Sequence, residues 1–237
     1  MLISEVQQCD ITSWYEDFKR LTFPTSFVLL PEEVLRYLRE DSTLILPKEC
    51  DAEGYFDNND NSDSECELED EGSQEGERPS FPEFSQRLKD VLGEGIKKNG
   101  AFIKLNWSSP KDANWVLASG LKVSTLTDIY LLLKSSHFLH HDLSNPFKDC
   151  SESTIEEQKS TTESTGYVLA IRDWVSINPG HEFRCFVRGK TLVGVSQRDH
   201  TSFYNYILRE EDVIRMNIKQ FFHQYLQDKF PLNNYVF

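Results

Sequence analysis

The sequence predicts an α+β fold, and three observations carry that prediction. Apolar residues recur at helical spacing early in the chain and again after residue 82. Runs that read as strands gather later, at residues 166–177, 181–187 and 191–199. The order, helices first and an antiparallel meander afterwards, is that of an α+β domain rather than an alternating α/β one.

Each element has its own signal. Ser13-Trp14-Tyr15-Glu16 reads as a capping box, with Trp14, Phe18 and Leu21 on one face of the helix it opens. Phe27 to Leu30 is a short apolar run. Pro31 then stands where a helix carrying Val34, Leu35 and Leu38 would begin. Thr43 to Leu46 is a further short strand. Pro47 to Arg78 is rich in Asp, Glu, Asn, Ser and Gly; it cannot bury enough apolar surface to offset its ordering entropy, and disorder is expected. Pro82 opens a helix with Phe84, Leu88, Val91 and Leu92 on one side. Gly100 precedes the strand FIKLNW, and a helix is expected over residues 125–134. Residues 151–165 are polar and read as a loop. The strand GYVLAIRDWVSI follows, then HEFRCFV and TLVGVSQRD joined at Arg188-Gly189-Lys190. A last helix over residues 210–229 would carry Ile214, Ile218, Phe221 and Tyr225. The expected divisions are 1–46, an N-terminal helix and strand region; 47–78, an acidic disordered loop; and 79–237, the main domain.

Charge is concentrated rather than spread. The 237 residues carry a formal charge of −14, and thirteen acids with no Lys or Arg stand between Glu49 and Glu77. The remainder is close to neutral, so neither part offers the basic face that nucleic acid requires. Ser62 and Ser64 stand among acids, as acid-directed kinases prefer; a plain solvated linker is the simpler reading. The five cysteines are odd in number and form no CxxC pair, which fits a reducing compartment better than a disulfide framework or a zinc site. No signal peptide and no membrane span is legible, and a cytoplasmic protein is expected. Asn106-Trp107-Ser108 matches the N-glycosylation pattern, by accident in such a chain.

The chemistry is in charges on strands. Alternation places Lys104 and Asn106 on one side of their strand, opposite Ile103, Leu105 and Trp107. Glu182, Arg184 and Phe186 share a face, as do Leu192, Gly194, Ser196 and Arg198; Arg172 sits late in its own apolar run. A buried ammonium needs an anion. Four cations and one acid on neighbouring strands would line a cleft fit for a polyphosphate bearing an adenine base, or would form internal salt bridges, Glu182 with Arg184 or Arg198. GxxxxGK[ST], a full GxGxxG, HExxH and GxSxG are all absent, so a nucleotide would be held by side chains of a sheet. The histidines of HFLHH lack the acidic partners of a metal site.

KLNWSSPKDANW, LKSSHF, IRDW, PGHEFRCFV and VSQRD, with CDITSWYEDF and FPEF ahead of them, resemble the cell division cycle protein 123 family in order and across nearly the whole chain. The resemblance implies an ATP-grasp-like fold with an N-terminal extension. It implies binding of ATP with Mg2+. It also implies a chaperone, not an enzyme, that binds the gamma subunit of eukaryotic translation initiation factor 2 and promotes assembly of the heterotrimer, in support of translation initiation and cell-cycle progression. Carried over residue by residue, Lys104 would contact phosphates. Asn106, Trp107, Ser109 and Lys111 belong to the same nucleotide segment. Ile171 and Arg172 would lie at the adenine-side linker beside Asp173 and Trp174, with Glu182, Arg184 and Arg198 around the nucleotide.

Three departures from the family pattern bear on that expectation. Position 111 is lysine where arginine is usual, which loses a bidentate fork. Asp173 replaces a residue that is often basic. The acids expected to hold magnesium would lie beyond Phe237, so weak or absent metal-dependent ATP binding is expected of this chain, and its C-terminal part is expected to be missing. Two other functions stay open: an ATP-dependent carboxylate ligase, as on related folds, and a binding module in which the cations only hold the sheet together.

Overall fold

The computed structural model describes residues 1–40, 44–53, 78–151 and 166–237, with the backbone alone at 52–53 and 94–98. The acidic residues 54–77 and the polar stretch 152–165 lie outside the described residues. The chain divides into two compact units, one of Met1 with Asp17–Trp174, the other of Leu2–Glu16 with Val175–Phe237.

The first unit is built on a four-stranded antiparallel sheet in the order β1-β4-β2-β3: β1 Thr25–Leu29, β2 Ala101–Lys104, β3 Lys122–Val123 and β4 Val168–Asp173. Its helices are α3 Glu32–Arg39, α4 Pro82–Asn99, α5 Leu126–Ser135 and α6 His137–Ser144; α1 Ile3–Gln8 and α2 Ile11–Phe18 come earlier in the chain. Register decides the two faces of the sheet. Ile103 pairs with Ile171 and Val28 with Leu169, so these four share the core face. They are buried with Phe84, Leu88 and Leu92 of α4, with Leu126, Ile129 and Tyr130 of α5, and with Val34 and Leu38 of α3. Burial on this scale, at roughly 25 cal/mol per Å² of apolar surface, is what holds helices to sheet.

The ends of the elements follow local chemistry. Thr125 caps α5: its hydroxyl accepts from the Asp128 amide at 3.0 Å, and Asp128 accepts from the Thr125 amide at 3.1 Å. Pro31 opens α3, and Val34, Leu35, Tyr37 and Leu38 are its buried side. Gly93 breaks α4 with φ of 37°. Gly100 stands at φ of 81°, and a Cβ there would lie 2.3 Å from the Lys122 side chain.

Several expectations are corrected. Asp10, not Ser13, opens α2: its carboxylate accepts from the Thr12 amide at 2.8 Å. The buried residues are accordingly Ile11, Tyr15 and Phe18, while Trp14 is half-buried and Leu21 exposed. No strand forms at residues 44–46; Thr43 lies outside the described residues. The acidic run starts ordered. Lys48–Glu53 is a 3-10 helix with Cys50 buried, and Arg78 clasps Asp51 while donating to the carbonyls of Leu46 and Pro47. Glu49 accepts from the Ser80 hydroxyl and the Phe81 amide, and these bonds hold its carboxyl below the usual range against the opposing effect of burial.

The second unit carries a three-stranded sheet in the order β6-β5-β7: β5 Phe183–Arg188, β6 Thr191–Gln197 and β7 Tyr235–Val236. Gly189 and Lys190 take positive φ, 56° and 60°, and close a two-residue hairpin between β5 and β6. The register slips between Phe186 and Val187, so Leu192 faces with Val187 rather than with Gly194 as strict alternation requires. Helices α7 Asn205–Arg209 and α8 Glu211–Phe221 follow, and α8 passes into a π-turn at Phe222–Leu226. That extra residue moves the fully buried positions to Phe222 and Leu226, leaving Ile214, Ile218, Phe221 and Tyr225 half-buried.

Candidate functional site

The first unit keeps one sheet face half-open. Lys104 pairs with Ala170 and Phe102 with Arg172, so both cations lie on this face, the side opposite Ile103 and Ile171. Phe27, Phe102 and Ala170 give it an apolar floor. Both cations are held. The Lys104 ammonium donates to the carbonyls of Leu105 and Asn106, each at 3.0 Å. The Arg172 guanidinium donates to the Thr22 hydroxyl and lies 5.3 Å from the Phe23 ring centroid.

A tight turn closes β2. The Leu105 amide donates to the Ser108 carbonyl at 2.8 Å. Alternation therefore stops at Lys104, and Asn106 does not share its face as expected. Asn106 is fully buried instead: its Nδ2 donates to the Gly166 carbonyl at 3.2 Å and its Oδ1 accepts from the Val168 amide at 3.0 Å. The side chain stands in for a strand, pairing the entry to β4. An amide so enclosed is closed to glycosylation. Trp107 packs edge-on against Phe147 and Tyr167, with centroids 5.8 and 6.5 Å away. Ser109 is buried and its carbonyl accepts from the Lys111 amide, while Lys111 itself is exposed.

Two aspartates tie this turn to α6. Asp142 accepts from the Ser108 amide at 2.7 Å and from the Ser108 hydroxyl at 3.1 Å. Asp112 reaches back to the helix start, accepting from the Ser136 hydroxyl at 2.6 Å and the His137 amide at 2.7 Å. Burial pushes the Asp142 carboxyl above its ordinary value, and the Ser108 bonds oppose that shift. Neither aspartate was legible as a site residue, because a carboxylate that binds a backbone amide more than twenty residues away leaves no spacing to read.

Ile171 is in the core, on the face opposite Lys104, and the exposed Asp173 shares its side. The Trp174 amide donates to the Gly100 carbonyl at 3.2 Å. In the second unit, Glu182 and Arg198 form an ion pair at 2.6 Å, and the Arg198 amide donates to the Glu182 carbonyl at 2.9 Å. The internal salt bridge is thus realised for that pair. Arg184 pairs with Ser196 in register and is exposed. Among the described residues no group of three His, Cys, Asp or Glu side chains could hold a metal ion, and no helix is long and apolar enough to cross a membrane.

These features define a mixed helix and sheet protein whose first unit presents a cation-bearing sheet face bounded by a clamped turn. The chain belongs to the D123 family, whose sequence model matches residues 14–237. It is 38% identical over 237 residues to the translation initiation factor eIF2 assembly protein of Xenopus tropicalis, an alignment covering 98% of this chain and 68% of that one. It is 35% identical to the protein of the same description from Botryotinia fuckeliana, of which it spans 56%. The structure of C-terminally truncated Cdc123 from Schizosaccharomyces pombe superposes with a TM-score of 0.77 at 28% identity, covering all of this chain and 80% of that one. The likeness to the cell division cycle protein 123 family read from the motifs is therefore correct, and so is the mixed helix and sheet class.

Proposed function

We propose that this protein is an assembly chaperone for translation initiation factor eIF2, docking on its gamma subunit, and that its sheet face binds ATP in the manner of an ATP-grasp fold. Kinship with proteins described as eIF2 assembly proteins supports the first part. The observation that carries the second is the placing of Lys104 and Arg172 on one half-open face beside an apolar floor. Phosphates suit the two cations, and a base suits the half-buried ring of Phe102. Trp107, Ser109 and Lys111 follow Lys104 on the turn after β2 and would flank a bound phosphate. Magnesium is a different matter. Among the described residues no group of three His, Cys, Asp or Glu side chains stands ready to hold a divalent ion.

Purified chain is mixed with the gamma subunit, then with the alpha and beta subunits, and heterotrimer yield is followed on a sizing column. Assembly should be faster with the chain than without it; an unchanged rate removes the chaperone reading. ATP titration of wild type and Lys104→Met tests the site. Affinity should fall about tenfold or more, the loss of one charge-assisted contact, with the unfolding midpoint nearly unchanged. A lowered midpoint with unaltered affinity would instead make Lys104 a structural cation.

A further inference from the structure

The route from α6 to the ammonium of Lys104 runs through five hydrogen bonds. Asp142, only 7% exposed, accepts from both donors of Ser108, its amide and its hydroxyl. The Ser108 carbonyl accepts from the Leu105 amide and closes the turn. The carbonyls of Leu105 and Asn106, on that turn, hold the Lys104 ammonium. A lysine head on a four-carbon stem has many rotamers, so whatever fixes the two carbonyls fixes where the charge stands. Asp142 is itself fixed, since the Tyr167 hydroxyl donates to its carbonyl at 3.1 Å.

We propose that Asp142 is a positioning residue for phosphate binding: it sets the 105–108 turn and, through that turn, aims Lys104. The inference rests on the nucleotide reading above. Asp142 touches no ligand in this account; it acts through Ser108. The charged and titratable groups around it are Lys104 from the turn, His141 from its own helix and Tyr167 ahead of β4. Arg39 of α3 lies 5.6 Å from the Tyr167 ring centroid and donates to the Leu143 carbonyl at 3.1 Å. An ionised Asp142 accepts both Ser108 bonds at once. A protonated one must give up part of that grip, so aim should weaken toward acid.

The test is ATP titration of the whole chain as wild type, Asp142→Ala, Asp142→Asn, Ser108→Ala and Lys104→Met, run well below each unfolding midpoint. Asp142→Ala should lose about tenfold in affinity, and Ser108→Ala should lose a similar amount. Combined with Lys104→Met, Asp142→Ala should add almost nothing, because its effect passes through that ammonium. Asp142→Asn should retain part of the grip, and its deficit relative to wild type should shrink as the pH is lowered, a ratio from which ATP's own titration cancels. If wild type binds ATP and Asp142→Ala binds it equally well, or if the two substitutions add fully, the inference is overturned and the nucleotide reading stands. If wild type binds no ATP, both fall. Should Asp142→Ala fail to fold, unchanged affinity in both Asp142→Asn and Ser108→Ala overturns the proposal just as well.

Discussion

The turn after β2 and the hairpin of β5 and β6 carry the same sequence signature, an isolated ion in an apolar strand, and resolve it in opposite ways. In the hairpin, Glu182 meets Arg198 at 2.6 Å across paired strands, and the two charges neutralise one another. At the turn, Lys104 is held by carbonyl dipoles with the Asp142 carboxyl near enough to feel its charge, and Arg172 by a hydroxyl and a ring. The signature alone thus separates nothing; what decides is whether an acid stands at the facing register position. Opposite Arg198 there is one. Opposite Lys104 and Arg172 stand Ala170 and Phe102.

If the turn is a built structure and the hairpin pair a surface ornament, their stability costs must differ widely. Asn106→Ala should show the largest effect. It leaves the Gly166 carbonyl and the Val168 amide without the fully buried side chain that serves them. Two such losses amount to about 3 kcal/mol. Urea unfolding of the whole chain measures it. A loss below about 1 kcal/mol would mean that water replaces the amide there, and the turn would not be the rigid frame described.

How much of this was legible depended on whether the signal was periodic. Helices α3, α4 and α5 and strands β4 to β6 were readable because Val34 and Leu38, Phe84 and Leu88, or Cys185 and Val187 repeat at the spacing of their element. The side Lys104 takes on its strand was readable for the same reason, while its sharing a face with Arg172 follows only from the pairing of β2 with β4. What failed were positions set by single side chain to backbone bonds. Asn106 looked like the next residue of an alternating strand, yet its amide pairs with residues sixty positions later. Ser13 and Asp10 both suit a helix start, and only the Thr12 contacts choose Asp10. The Val193 region shifts its face because a bulge inserts one residue, which no polarity pattern announces.

The hairpin end of the comparison predicts a much smaller number. Glu182 and Arg198 are each about one third exposed, at 33% and 34%. Solvent screens such a pair, and Glu182→Gln should cost below about 1 kcal/mol. The same substitution should respond to salt, with the difference from wild type shrinking as ionic strength rises. A cost equal to that of Asn106→Ala would erase the contrast, and would make the ion pair the element that fixes the β5 and β6 register.

The smallest effect is one of slope, and it sets the two regions apart by sign. Asp199, just after β6, accepts from the Thr201 hydroxyl and the Tyr204 hydroxyl, both at 2.7 Å, and these bonds depress its carboxyl well below the ordinary 3.8. Its contribution is present above that value and lost as the pH falls through the depressed one. Asp142, raised by burial despite its Ser108 bonds, behaves oppositely: the folded state keeps its proton longer, so stability contributed there is greatest below 3.8 and declines as the pH rises through the raised value. Melting Asp199→Asn beside wild type from about pH 5 to about pH 2 should therefore show a gap that closes toward acid. A gap that widened would mean that the Asp199 carboxylate is not the acceptor holding this turn. The turn after β2 and the turn after β6 would then no longer differ in which protonation state of their aspartate the fold prefers.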